Sequence, residues 1–240
     1  MMLSSFRYGE KTYEYTVQLR SRRKKSIAIH VLPDGSIEVN APMNTLPQEI
    51  TLLVHQRAGW IVRHVEQAQQ RHSRILPREY TSGETHLYLG DSYALKVVPA
   101  DVDCVTASHG FFMVQCSDAA PEHVKRLLNA WYKQHAQEVF AHRLSLVVED
   151  FAWLDSAPPM AIRAMRKQWG SCSSRGRIHI NRHLVKAPVE CLDYVLAHEL
   201  CHLQEYNHSK RFYALLDRHH PGWRAIKSKL DEMADMFLNE

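Results

Sequence analysis

The sequence predicts an α+β protein: a β-rich N-terminal half with one helix, then a half in which a small antiparallel sheet packs on helices. Three observations point there. Short alternating segments bounded by turn residues fill 13–40 and 86–116. Apolar residues recur at helical spacing over 47–71 and 121–147. A stretch from Cys191 to His208 combines an apolar helical stripe with clustered histidines.

Taken in order, Tyr13–Leu19 alternates, and Ser26–Leu32 meets Ser36–Asn40 across Pro33-Asp34-Gly35, a turn signal. Between the first two strands lies a basic run, 20–25. Without interleaved aromatic residues it reads as a solvated loop or a charged edge rather than a nucleic-acid patch. Ile50, Leu53, Val54, Ile61 and Val65 share one side of a helix over 47–71. After a polar stretch, 71–84, strands at 86–89, 92–98, 104–107 and 111–116 suggest an antiparallel meander, with a turn at Gly90-Asp91. Val124, Leu127, Leu128, Trp131, Val139, Phe140 and Leu144 mark a long helix over 121–147. The change of composition before it places a boundary near 119, giving regions 1–118 and 119–240.

Composition sets limits. The 240 residues are 45% hydrophobic and 23% charged, as in an ordinary soluble globular protein, and can bury a substantial core. No apolar run approaches membrane-spanning length, and Met1–Arg7 lacks the hydrophobic core of a signal peptide. The five cysteines are an odd number with no C-x-x-C pair, which suits reduced thiols and a cytoplasmic location. A net charge of +4 permits anionic partners without requiring them.

The most informative stretch holds His198-Glu199-Leu200-Cys201-His202, with His208 six residues on. Residues four apart share a helix face, so the imidazoles of His198 and His202 can reach one metal ion. Glu199 lies about 100° round the helix from His198, placed to act on a water at the metal without competing as a ligand. Leu192, Leu196, Leu200 and Leu203 form a stripe opposite the histidines, whose face also carries Cys191, Tyr194, Val195 and Glu205. Sixteen histidines make a chance H-E-x-x-H conceivable, but this division of faces and the third histidine argue for a metal site. Cys201 reads as a small buried residue.

Ala161–Asn181 reads as a hairpin around a turn rich in glycine and serine, carrying Arg163, Arg166, Lys167, Arg175 and Arg177. Beyond the metal helix, Ser209 can cap a helix starting at Lys210, and Pro221-Gly222 precedes a last helix over 223–238. His219 and His220, beside Pro221, read as solvent-facing.

Trp169-Gly170-Ser171-Cys172, with Arg163 and Asn181 around it, and Tyr194–Leu203 followed by Asn207-His208-Ser209-Lys210-Arg211-Phe212 resemble the YgjP-like metallopeptidase family, relatives of SprT-like and other zincins. The likeness extends to Pro33-Asp34-Gly35, Trp60-Ile61 and Tyr88-Leu89-Gly90 and so covers most of the chain. It implies a zincin-type catalytic half, one Zn2+ on His198, His202 and His208 (other divalent metals being possible), and Glu199 as the catalytic carboxylate. Metzincins with this histidine spacing turn the chain at a glycine. Glu205 stands there here, so any bend must come later, near Asn207. Glu205 is also a carboxylate able to orient a ligand histidine. Glu232 is the rival third ligand.

Three imidazoles leave a zinc ion one open position for water, which Glu199 would deprotonate for attack on a polarised electrophile. A peptide or protein substrate makes this a metallopeptidase. Arg163, Arg166, Lys167, Trp169 and Tyr194 are the candidate substrate-binding residues. The alternative is a nucleoside triphosphate pyrophosphatase (on UTP, for example) with the hairpin's arginines and lysine on phosphates. A peptidase working on DNA-bound proteins is a third, weaker reading, and no membrane partner is expected.

Overall fold

Alternation in the N-terminal stretch builds a four-stranded sheet in this computed structural model, which describes residues 2–21, 26–32, 34–72, 77–165 and 168–238. The chain divides into two compact units, Met1–Leu76 and Pro77–Glu240. In the first, β1 (Met2–Tyr8), β2 (Lys11–Arg20), β3 (Ala28–Val31) and β4 (Ile37–Pro42) lie in the order β1-β2-β4-β3. The β2–β4 pair is parallel and the other two pairs are antiparallel. β1 was not foreseen because Phe6 is its one buried side chain, too little for alternation to register. At the expected turn, Gly35 takes φ +81°, and the Asp34 carboxylate accepts from the Ser36 amide at 2.9 Å; Pro33 lies outside the described residues, as do 22–25 of the basic run. The predicted helix is two, α1 (Pro47–Gln56) and α2 (Ala58–His72), broken at Arg57. Ile50, Val54, Ile61 and Val65 from them bury against Phe6, Val17 and Val39.

In the second unit, β5 (Thr85–Tyr88), β6 (Asp91–Pro99), β7 (Cys104–Ser108) and β8 (Phe111–Cys116) form a sheet ordered β5-β6-β8-β7. It is not the expected meander, since β6 and β8 pair in parallel. Burial explains the order: Phe112 and Val114 of β8 are fully buried and suit an inner strand, whereas β7 has no buried residue and suits an edge. This sheet, which the sequence groups with the N-terminal region, shares one core with α3 (Pro121–Val148), through Leu87, Leu95 and Phe112 against Leu128, Trp131 and Phe140. The Tyr132 hydroxyl donates to the Leu87 carbonyl at 2.7 Å.

Two further devices tie this sheet to the histidine-bearing helix, α4 (Val189–Cys201). The β5–β6 turn places Leu89 and Gly90 at φ +50° and +91°. Their amides donate to the carbonyls of Val185 (2.9 Å) and Lys186 (3.2 Å), in the 3-10 turn Arg182–Lys186 that leads into α4. A Cβ on Gly90 would come within 2.9 Å of Pro188 Cα, so the approach requires glycine. Arg143 of α3 also grips Asp193 of α4 through two bonds, at 2.9 and 2.6 Å.

A third sheet, ordered β10-β11-β9, holds β9 (Met160–Arg163), β10 (Gly170–Cys172) and β11 (Ile178–Asn181). The expected hairpin does not form between the segments flanking the glycine- and serine-rich turn. The first of them, β9, joins β11 in parallel, and the antiparallel partner of β11 is β10, which lies inside the predicted turn, so the sheet is mixed. Asn181, 1% exposed, donates through its amide to the carbonyls of Met165 (2.7 Å) and Gln168 (3.1 Å), which ties the end of β11 to residues on the approaches to β10. After α4 come α5 (Lys210–His219) and α6 (Trp223–Leu238). The α+β class is borne out, and no helix among the described residues is long and apolar enough to cross a membrane.

Candidate metal centre

Helix α4 is buried more completely than a one-sided stripe implies. Leu192, Leu196 and Leu200 are in the core, but so are Cys191, Tyr194 and Val195 on the histidine side. Each such apolar side chain contributes roughly 1.5–3 kcal/mol on burial, which fixes the helix on both flanks. His198 and His202 follow Tyr194 on the side facing a cleft, His202 capping the helix in right-handed geometry.

Past Cys201 the helix tightens and ends. The amides of Leu203 and Gln204 donate to carbonyls three residues back, those of Leu200 (3.0 Å) and Cys201 (3.1 Å). That narrowing turns the chain where metzincins use glycine. Asn207 is not among the residues with left-handed φ, so the expectation placed on it is not met. Ser209 then caps α5, its hydroxyl accepting from the Phe212 amide at 3.3 Å, as expected.

The turn delivers His208 to the other two histidines. Ligand-capable atoms of His198, His202 and His208 all lie within 4.8 Å of one another. Nε2 of His198 and Nε2 of His208 are 3.0 Å apart. Two nitrogens, each about 2.0–2.1 Å from one tetrahedral ion, are about 3.3 Å apart, so three neutral imidazoles on this spacing fit a divalent metal. Glu232 is exposed, accepts from the Ser228 hydroxyl at 3.1 Å, and does not line the cleft.

Electrostatics mark the same place. His202 Nδ1 lies 2.9 Å from the Glu205 carbonyl, the bond that leaves Nε2 free as a ligand. Glu205 thus acts through its backbone, while its carboxylate meets the Ser209 hydroxyl at 3.5 Å. His198 Nδ1 and Glu199 Oε2 are buried with no hydrogen-bond partner among the described residues, an arrangement that native cores rarely leave without a functional reason. Burial pushes the Glu199 carboxyl up to about 8. It drives His198 down to about 3, helped by the neighbouring histidines. Cys201 is fully buried, its thiol pushed up to about 12 by desolvation, and stands outside the cluster.

The cleft, about 400 Å³, is walled by Gln168, Trp169, Gly170, Ser171 and Cys172 on one side and by Lys227, Leu230 and Asp231 of α6 on another, with Tyr206 also on its lining. Trp169 and Tyr194 line it as anticipated. Arg163 does not. It is exposed on β9, separated from the cleft-lining strand β10 by β11. Arg166 and Lys167 lie outside the described residues. Arg175 and Arg177 are exposed and absent from the lining, where Lys227 is the cation among the described residues. His219 and His220 are not simply solvent-facing: His219 stacks on Phe151 at 4.1 Å, and His220 Nε2 is buried.

Sequence reasoning gave two residues no part in the site, reading Gly170 only as a turn residue. A Cβ on Gly170 would stand 2.5 Å from Glu199 Oε1, so this glycine lets the carboxylate reach its position. The available signal was the glycine directly after Trp169, within the Trp169–Cys172 motif. Phe212 packs beneath all three imidazoles, with ring centroids 4.5–4.9 Å away; it reads in sequence as an ordinary apolar helix residue.

A search of curated proteins finds no significant relative. Among solved structures, the metallopeptidase zymogen of Pyrococcus abyssi abylysin aligns over 43% of this chain and 97% of its own, at 20% identity and a TM-score of 0.35. The family model described as "YgjP-like, metallopeptidase domain" matches residues 25–233. The chain therefore belongs to the YgjP-like metallopeptidase family.

Proposed function

We propose that the protein is a zinc-dependent peptidase in which His198, His202 and His208 hold the ion and Glu199 is the general base. The observation that carries this reading is the convergence of three imidazoles beside a buried, unpartnered carboxylate in one cleft. Bound there, the metal supplies an acidified water and polarisation of the scissile carbonyl.

The chain's own groups do the rest. Glu199, its Oε2 buried and unpartnered among the described residues beside the imidazoles, accepts the proton of the attacking water and returns it to the leaving amine. The Tyr194 ring stacks on Trp223, centroids 6.0 Å apart and the ring planes nearly parallel at 4°. Burial raises the pKa of its hydroxyl well above the usual tyrosine value, so it stays a donor, and its place on the cleft lining suits donation to the carbonyl oxygen as charge develops. β10 is an edge strand of its sheet, and an extended peptide can add to that edge with Trp169 as an apolar wall.

The test is metal analysis with one substitution. Wild type and Glu199→Gln are assayed on a peptide library and on nucleoside triphosphates. Near-stoichiometric zinc in both, with peptide cleavage lost in Glu199→Gln, is expected. Glu199-dependent release of phosphate or pyrophosphate with peptides untouched would overturn the peptidase reading.

A further inference from the structure

We infer that Phe212 is a positioning residue that holds the three ligand imidazoles converged before a metal arrives; this rests on the metal reading above. Histidine ligands are ordinarily oriented by a hydrogen bond from the ring nitrogen that does not face the metal. Here His202 has such a bond, to the Glu205 carbonyl at 2.9 Å. His198 does not, its Nδ1 being buried without a partner among the described residues. For His208 the described hydrogen bonding involves Nε2 alone. Something else must limit their rotation.

Phe212 is placed to do so. Its side chain is 0% exposed. Ring centroids stand 4.9 Å from His198, 4.5 Å from His202 and 4.8 Å from His208, the first and last contacts edge-on at 67° and 74° and the His202 contact tilted at 31°. One rigid ring with two torsions thus touches every ligand, and aromatic pairs favour such edge and tilted geometries. The backbone fixes it in turn: Phe212 N donates to the Ser209 hydroxyl, and the Ser209 hydroxyl reaches the carboxylate of Glu205, whose carbonyl holds His202. Helix cap, aromatic floor and third ligand therefore form one unit over residues 205–212.

Chelator competition for Zn2+ on wild type, Phe212→Leu and Leu216→Ala tests this, on proteins shown folded by circular dichroism at the assay temperature. Leu216 is equally buried one turn further along α5, and neither residue lines the cleft, so its truncation loosens the fold while leaving the aromatic ring against the imidazoles in place. Phe212→Leu should weaken zinc binding by about 10–100-fold, the scale on which groups that orient ligands act. It should also change the visible absorption of the Co2+-loaded protein. Leu216→Ala should stay within a few-fold of wild type. Unchanged affinity in Phe212→Leu, or an equal loss in Leu216→Ala, overturns the inference while leaving the metal site standing. A wild type that binds no zinc refutes the metal reading itself.

Discussion

Gly170→Ala probes the contact between β10 and Glu199, the proposed base, at close range. The new Cβ would lie 2.5 Å from Glu199 Oε1, 2.7 Å from Cγ and 2.9 Å from Cδ, short of ordinary contact by about 0.9 Å at the carboxylate oxygen. Because Cγ is crowded as well as the head, rotation about the terminal bond gives no relief. Either the Glu199 side chain changes its inner torsions or β10 moves. A displacement near 1 Å at a group that must meet its proton costs about 10²-fold in rate, about 2.7 kcal/mol of barrier. The crowding itself should lower stability by roughly 1–3 kcal/mol. The assay separates kcat from KM on a cleaved peptide and measures zinc affinity alongside. We expect kcat to fall about 100-fold with zinc affinity within a few-fold of wild type, since the alanine meets Glu199 rather than an imidazole. Glu199→Asp supplies the internal check. Its side chain is one methylene shorter, so adding Gly170→Ala to it should cost little more, a clear departure from additivity. A Gly170→Ala protein with near wild-type kcat, or one whose loss follows its zinc content, would refute the reasoning.

Two other expectations follow from particular groups. Tyr194→Phe keeps the stack on Trp223 and should lower kcat by about 10²–10³-fold, the usual effect of losing one donor to a developing oxyanion, with KM and zinc affinity little changed; an unaltered kcat would remove Tyr194 from the chemistry. His86, 3% exposed, has its pKa lowered from 6.5 to about 4, chiefly by burial and then by Arg78 and Lys186 against the opposing pull of Glu84. The fold therefore holds it neutral, and its contribution is intact above pH 6.5 and lost as pH falls toward 4, where the unfolded chain takes up a proton that the native one refuses. Denaturant titrations at pH 7 and pH 4 should show about 3 kcal/mol less acid destabilisation in His86→Gln than in wild type, and equal slopes in the two proteins would contradict it.

Legibility in the sequence followed how local each determinant is. The histidines four apart, the glutamate between them, the Ser209 cap and the α3 stripe are set within one or two helical turns, where periodicity speaks directly. What the sequence hid depends on partners distant along the chain. The parallel pairs β2–β4, β6–β8 and β9–β11 arise because strands return to a neighbour that is not the preceding one, and alternation alone carries no such information. Arg163 looked close to the site because it is near Trp169 in sequence, but β11 intervenes in space. The sheet over 85–116 reads as part of the N-terminal region by composition, yet Leu87, Leu95 and Phe112 bury against α3. A sequence shows that Gly170 can approach something, but not that the neighbour is Glu199.

The same contrast explains how so polar a cluster is tolerated. Glu199 Oε2 and His198 Nδ1 are buried without partners among the described residues, and each such atom costs about 1–3 kcal/mol in an ordinary core. A helix free to rotate or slide would relieve that by turning the groups to water. α4 is not free: leucines bury one flank and Cys191, Tyr194 and Val195 the other, Arg143 holds Asp193 from α3, and Gly90 closes on Pro188 at its start. The strain is local, and its restraints are spread over both flanks of α4, helix α3 and the β5–β6 turn. A carboxylate kept short of partners, in a frame too well packed to move, is what the proposed role of Glu199 as general base requires.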